Sequence, residues 1–450
     1  MTNSIETELA AGEFALSLPQ CKITQRGAKS PWIYTGSGFV NQGADRGLVL
    51  RMFATEQLDQ LEWCKRLFGK NCTAGSLLPE TEYYDVSAVD QQGRQWRAER
   101  QLINLNSGVG TAIEVQLQQL EKVERGPQGS DSSIRWFIPG NAKLPWHLFT
   151  TSDLGRMTLD RFEFDDAEFA WKARNADGGM DVVFTVKQAP SEPHATRMLR
   201  ALEILTGQRL EPLVSYLCVG GELVTRIHRR RAHESAGLLA PMIMHGPYAG
   251  DAHRFLVCCL QHAEQNHLKP KDQFLVLYRF WYRILQARHG DIENSSLVLA
   301  VAIEGIIKGL CASEHDSDAQ FTSLVEEAKP SVEELAIDQR VRDSIRKHLE
   351  HVVCPKPMET MQRLVEQGVL TQEHVRSWAK LRNSGAHGAQ LDDDTSKIEA
   401  HYRLYLWCLD MFYRLLFLAL GYRGNYIDRT GENWPTSRFP PVDNVSTPLY

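Results

Sequence analysis

The sequence predicts an α+β protein, with a β-rich, sandwich-like N-terminal domain followed by a C-terminal all-α helical bundle. Three observations predict it. From about residue 20 to 230, apolar and polar side chains alternate and glycine turns recur, the pattern of half-buried antiparallel strands. After about residue 245, the apolar spacing changes to the three- and four-residue steps of helices. Around His233 to Ala249 the breakers Gly237, Pro241, Gly246, Pro247 and Gly250 cluster, which marks a boundary. The expected organisation is a β-rich domain over 1–235, a linker over 236–250, a helical domain over 251–430 and a tail over 431–450.

Taken in order, Tyr84 to Val89, a turn at Asp90-Gln91-Gln92-Gly93, and Arg94 to Ala98 read as a hairpin. Ile113, Val115 and Leu117 alternate with Glu114 and Gln116 along another strand. Phe169, Trp171 and Ala173 run out to Asp177-Gly178-Gly179, and Val182, Phe184 and Val186 return. Val214–Val219 and Leu223–Ile227 flank Gly220-Gly221. Two helices interrupt this half, at Glu56–Phe68 and His194–Thr206. Helical spacing then covers 251–265, 271–288, 295–311, 337–352, 358–367, 372–383 and 396–420. Many short strands with Gly turns favour a sandwich or a curved sheet, and short helix connections favour a bundle.

Composition bounds the function. The chain has 450 residues, 43% hydrophobic and 24% charged, enough for two or three domains. A formal net charge of −6 confines any nucleic-acid surface to a local patch. The nine cysteines show no CxxC spacing and read as free thiols of a reducing compartment. The first residues lack the basic-then-apolar order of a signal peptide. Leu404–Leu420 contains Asp410 and Arg414, so it reads as a buried helix and not a membrane span. A cytoplasmic protein without membrane contact is expected. There is no Walker-type loop, no GxGxxG after a strand, no HExxH and no GxSxG, and His262 and His267 lack ligand-type neighbours. No metal or nucleotide cofactor is expected.

The stretch that carries chemistry is Trp378-Ala379-Lys380-Leu381-Arg382-Asn383-Ser384-Gly385-Ala386-His387-Gly388. Cutting RNA without a metal requires a group that moves a proton and a group that holds the developing phosphate charge. Histidine titrates nearest neutrality, and the arginine fork matches phosphate oxygens. On an unbroken helix, residues five apart point about 140° away from each other. A break at Ser384-Gly385 would swing His387 back toward the face bearing Arg382. Glu304 follows seven apolar residues, so its carboxylate is expected to be buried and to need a partner. Lys308, four residues on, is one candidate; Arg382 or His387 is the other. Asp410 and Arg414 share the same spacing and read as a structural pair.

Here the chain resembles the HEPN superfamily of helical bundles, through Arg382, the polar Asn383 in second place and His387. The helix Leu297–Glu304 upstream and the long aromatic helix after the motif support it. Gly421-Tyr422-Arg423-Gly424-Asn425-Tyr426 is similar to the end of ApeA-type HEPN domains of anti-phage proteins, in which a β-rich region also comes first. The resemblance covers about 245–430, and over the strands it is architectural only. It implies a metal-independent endoribonuclease, acting in phage defence by abortive infection, that leaves 2′,3′-cyclic phosphate ends. His387 would serve as general acid or base, Arg382 would stabilise the phosphate charge, Asn383 would assist, and Glu304 would position the pair. One Arg–His set does not easily serve both faces of the phosphorus, so a homodimer through the helical domain is expected. RNA is the implied substrate, and the N-terminal domain would bind a phage-derived trigger.

Weaker features remain open. Arg226-Ile227-His228-Arg229-Arg230-Arg231 would track an RNA backbone or serve as a solvated strand end. Tyr278, Phe280, Trp281 and Tyr282 have helical spacing and read as core, while Tyr422 and Tyr426 would flank the site or pack. Two other functions are carried. One is a non-catalytic HEPN scaffold for binding or dimerisation. The other is a carbohydrate- or peptide-binding sandwich, motivated by Trp32, Trp96, Trp136 and Trp146, which read as exposed.

Overall fold

Strand and helix periods separate in space as they do in sequence. The computed structural model describes residues 5–441, apart from 44–46, 56–76, 109, 127–131, 141–143, 145, 152–154, 156, 167–168, 187–191, 230–238, 240–248, 266–271, 312–318, 353–356 and 387–393. The expected helix Glu56–Phe68, Arg230, Arg231 and His387 lie outside the described residues. Two compact units result: Met1–Ala195 with Arg209–Ser235, and Thr196–Gln208 with Ala236–Tyr450.

The first unit opens with helix α1 (Ile5–Ala11), followed by strands β1 (Ala15–Gln25), β2 (Ile33–Gln42), β3 (Leu48–Ala54) and β4 (Tyr84–Val89). Next come β5 (Gln95–Gln101), β6 (Ile103–Gly108), β7 (Gly110–Leu117) and β8 (Gln119–Arg125). The remainder are β9 (Ser133–Pro139), β10 (Leu148–Thr151), β11 (Met157–Asp165), β12 (Phe169–Ala176), β13 (Gly179–Val186), β14 (Val214–Val219) and β15 (Glu222–His228). All pairings are antiparallel and form one continuous 15-stranded sheet, which fits the curved-sheet alternative and not two stacked sheets. Its order is β10-β11-β12-β13-β9-β14-β15-β8-β5-β4-β1-β2-β3-β7-β6.

Chain continuity closes part of that order into a ring. Only Leu102 separates β5 from β6, and only Gln118 separates β7 from β8. The pairs Trp96–Lys122 and Arg97–Glu121 keep the same register as Ile103–Val115 and Asn104–Glu114. The two halves are therefore one long hairpin, bent where the Gln101 side chain takes the Gln118 backbone N–H at 3.1 Å. That hairpin pairs with β4 through β5 and with β3 through β7, while β4, β1, β2 and β3 join in sequence. The six resulting strands form a closed barrel, with β6 at one end of the sheet order. Its interior is apolar, with Leu18, Ile23, Val40, Leu50, Met52, Val86 and Val115 buried and Leu9 of α1 packed among them. The rest of the sheet continues outward from β8. Trp96 and Trp136, expected to be exposed, are 2% and 3% exposed, because each lies on the buried alternation of its strand.

The β4–β5 turn falls where Asp90-Gln91-Gln92-Gly93 predicted it. Gly93 takes a φ of +77°, which glycine adopts without strain. Asp90 accepts from the backbone N–H groups of Gln92 and Arg94 at 2.9 Å each, from Arg94 Nε at 2.7 Å and from Trp96 Nε1 at 2.9 Å. Burial pushes its carboxyl up, but these donors outweigh burial and hold the pKa at about 2, below its ordinary 3.8.

The second unit contains the end of α2 (Glu192–Thr206), then α3 (Ala249–Gln265), α4 (Gln273–Ala287) and α5 (Ile292–Ile306), which runs into a wide π-type turn over Ile307–Cys311. After these come α6 (Ala319–Glu333), α7 (Gln339–Val352), α8 (Pro357–Glu366), α9 (Gln372–Ala386) and α10 (Thr395–Leu420). The segment Thr196–Gln208 lies between strands in sequence but packs in this unit. Glu203, fully buried, accepts from Tyr278 Oη at 2.6 Å and Arg200 Nη1 at 2.9 Å. Tyr278 and Trp281 belong to the core, as their spacing predicted. Within the expected tail, β17 (Thr436–Phe439) pairs back on β16 (Gly424–Ile427) at the end of the expected helical domain. Asp251 of α3 accepts from Asn425 N and Nδ2 at 3.1 Å each. A Cβ on Gly424 would sit 2.5 Å from Tyr422 Oη and 2.6 Å from Asp251, so only glycine fits. Tyr422 and Tyr426 are buried in this clasp. Among the described residues no helix is long and apolar enough to cross a membrane.

Removing the Asp90 carboxylate in Asp90→Ala is expected to cost about 2 kcal/mol at neutral pH, roughly 1.4 kcal/mol per unit of its pKa depression. Since the folded pKa lies below the unfolded one, this contribution is complete above about pH 4 and fades as the pH falls toward 2. Urea unfolding of wild type and variant at pH 7 and pH 2.5 checks it. The two curves should separate at pH 7 and converge in acid.

Candidate functional site

The candidate site is built by three successive contacts along α9. At its start, Thr371 is the N-cap and His374 occupies the third helical position. The Thr371 backbone N–H donates to His374 Nδ1 at 3.0 Å, a capping-box arrangement with histidine in the acceptor role. That bond leaves the ring proton on Nε2, which donates to Asp410 Oδ2 of α10 at 3.0 Å. The same oxygen accepts from Arg414 Nε at 2.6 Å, and Arg414 Nη1 donates to Val369 O at 3.3 Å. His374 and Asp410 are 0% and 1% exposed, so this is a buried, fully partnered charge. Asp410 and Arg414 thus form the structural pair their spacing suggested; the participation of His374 was not foreseen. Its signal was Thr371 three residues ahead of it, at a helix start.

One turn on, Val375 and Trp378 turn into the core, and Trp378 Nε1 donates to the Ala300 carbonyl of α5 at 3.1 Å. The next turn brings Arg382 against Glu304, with Nε to Oε2 at 2.9 Å. A four-residue step on α9 matches a four-residue step on α5, so the two helices run in the same direction and stay in register. Lys308 Nζ takes the other carboxylate oxygen, Oε1, at 2.6 Å. Both partners offered for Glu304 by the sequence therefore bind it at once. Burial raises the Glu304 carboxyl, and the bonds from Lys308 and Arg382 overcome that and hold it below its ordinary value.

Two expectations are corrected here. Glu304 is not fully buried, its side chain being 18% exposed, because α5 is not covered all round. Helices α4, α9 and α10 take three sides of α5, while Val301 on the remaining side is 55% exposed, with Leu297 and Val298 half-buried beside it. The second correction concerns the helix break. Helix α9 continues through Ser384 and Gly385 to Ala386, since a glycine in a last turn costs only about 1 kcal/mol and the upstream packing holds the helix. His387 lies outside the described residues.

Arg382 is poised rather than consumed. Its side chain is 47% exposed, its guanidinium carbon sits 5.8 Å from the Trp378 ring centre, and Nε bonds Glu304. Among the described residues, neither terminal nitrogen has a hydrogen-bond partner. Asn383 follows it on the helix and is exposed. In the other unit, Arg226 of the basic run is bound to Glu121 at 2.6 Å, and the Arg229 backbone N–H donates to Gln118 O at 3.0 Å. Among the described residues no group of His, Cys, Asp and Glu could hold a metal ion. No protein-family model, curated protein or solved structure matches this chain.

The two ion-pair systems should respond differently to mutation. Glu304→Gln, in a half-exposed network, is expected to change stability by less than about 1 kcal/mol. Asp410→Ala, which strands a buried arginine, is expected to cost about 3–5 kcal/mol. Thermal unfolding of the two variants checks this, and equal losses would contradict the assignment of Asp410 as the structural anchor.

Proposed function

We propose that this chain is a HEPN-type, metal-independent endoribonuclease. The observation that carries the reading is the posture of Arg382. An arginine fixed through Nε, with both terminal nitrogens unpaired among the described residues, is preorganised to take two phosphate oxygens in a fork.

In this reading the ribose 2′-OH attacks its own phosphorus, forming the 2′,3′-cyclic phosphate and releasing the 5′-oxygen of the next nucleotide. Arg382 holds the non-bridging oxygens and offsets the charge that grows on them. His387, five residues further on, moves a proton, and Asn383 contributes an amide to the phosphate. Glu304 is a positioning residue: it sets the Nε edge of Arg382 and is itself held by Lys308. Proton removal and proton delivery fall on opposite sides of the phosphorus, so a second copy of the chain supplies the second set. The apolar stripe Leu297, Val298 and Val301 lies on the same helix as Glu304 and is the surface we assign to that contact. The resemblance to anti-phage HEPN proteins extends the proposal to defence by arrest of the infected cell, with the strand-rich unit sensing the trigger.

Purified protein incubated with total RNA in EDTA is expected to cleave it. Arg382→Ala and His387→Ala should each lower the rate by about 10²–10⁴-fold without loss of folded protein. Unchanged rates in both variants would refute the catalytic assignment. Val301→Asp is expected to shift the protein to monomer in light scattering and to lower cleavage with it, whereas a monomeric wild type with full activity would remove the two-copy mechanism.

A further inference from the structure

The barrel carries a groove of about 960 Å³ on its outward face, spanning β8, β5, β4, β1, β2 and β3. Its shape follows from the sequence of β2 and from a bulge in β1. A side chain at Gly36 would fall on the Phe53 carbonyl, and one at Gly38 would lie 2.6 Å from the Arg51 carbonyl. Glycine at both positions lets β2 approach β3 more closely than side chains would allow. Across the same region β1 shifts register between Leu18 and Cys21, opposite Gly38 and Gly36, with Pro19 and Gln20 in the bulge.

Side chains on this face stand in two rows across the strands. In the first, Arg97 of β5 is opposite Ser87 of β4, Ser87 is opposite Lys22 of β1, and Lys22 is opposite Thr35 of β2. Thr55 closes the row through its Oγ1, which donates to Thr35 O at 2.8 Å. The second row holds Gln95, Gln20 and Ser37 and ends on Phe53, which pairs with Ser37 and is 57% exposed. Val123, 40% exposed, lies at the opposite side of the groove. Among the described residues, two cations and no carboxylate line it. Arg97 bonds Glu121, its cross-strand partner on the same face, with Nε to Oε1 at 2.7 Å, and its side chain remains 57% exposed.

We propose that this groove binds a single-stranded nucleic acid. Lys22 and Arg97 lie two strands apart, roughly 10 Å, and face a polyanion backbone. The hydroxyls and amides between them offer donors and acceptors to sugars and base edges, and Phe53 offers an exposed ring for a base to stack on. An extended peptide is disfavoured by the pairing. Each strand that lines the groove is hydrogen-bonded on both sides, so none can accept a further strand. A duplex is disfavoured because a stacked helix presents no free base face to Phe53.

The test is fluorescence anisotropy of full-length protein with a labelled 2′-O-methyl oligouridylate. This probe has no 2′-OH and resists cleavage, so binding is read whether or not the ribonuclease proposal holds. Wild type should bind it, and Phe53→Ala should weaken binding about tenfold or more. Lys22→Gln should also weaken it and should lower the dependence on salt by about 0.7 in the log–log slope. Lys172→Glu, on β12 away from the groove, should bind as wild type does. No binding by wild type, equal binding by all variants, or preferential binding of polyglutamate over the oligonucleotide would each overturn the assignment.

Discussion

A single buried carboxylate sets the geometry of the helical unit. Asp410 would be strongly destabilising alone in its apolar surroundings; it is tolerated because His374 and Arg414 both donate to it. The consequence is positional. His374 belongs to the first turn of α9 and Asp410 to the middle of α10, so this bond fixes where α9 begins. Trp378 then fixes its rotation on α5 through the Ala300 carbonyl, and Arg382 arrives opposite Glu304 one turn later. The half-exposed ion pair that forms the candidate site contributes little stability itself. It is placed by the rigid contacts behind it.

The strand-rich unit solves a different problem. A long antiparallel sheet has edges that invite pairing with other chains, and the bent hairpin formed by β5–β6 and β7–β8 covers most of them by closing six strands into a ring, with β6 left at one end of the order. Closure also explains why the outward face near Phe53 is hollow. Bending strands so tightly requires Gly36 and Gly38 in β2 and the bulge at Pro19 and Gln20 in β1. The same residues that permit the barrel therefore shape its groove.

Local order was legible in the sequence and long-range register was not. The hairpin at Asp90–Gly93, the return at Gly178-Gly179, and the helices read over 372–383 and 396–420 came from period and turn chemistry, which act over a few residues. The exchange of a sandwich for a closed barrel depends on which strand pairs with which, and alternation is identical in both. The tryptophans at 96 and 136 sit on strands whose two faces the sequence could not assign. Helix α6 contains Pro330 and escaped the reading, and Gly385 was read as a stop although packing upstream carries the helix past it. In the candidate site, Arg382, Asn383 and Glu304 were found from residue type and spacing. Thr371 marked His374 as a candidate cap, but its bond to Asp410, 36 residues away, is long-range and could not be read from sequence.

The chemistry of the cut ends tests the central claim most directly. RNA digested by the purified protein in EDTA can be analysed by mass spectrometry for its termini. Attack by the neighbouring 2′-OH, with Arg382 holding the phosphate and His387 moving the proton, leaves 2′,3′-cyclic phosphate and 5′-hydroxyl ends. Fragments bearing 3′-hydroxyl and 5′-phosphate ends would contradict it, since those arise when water, not the ribose, attacks the phosphorus.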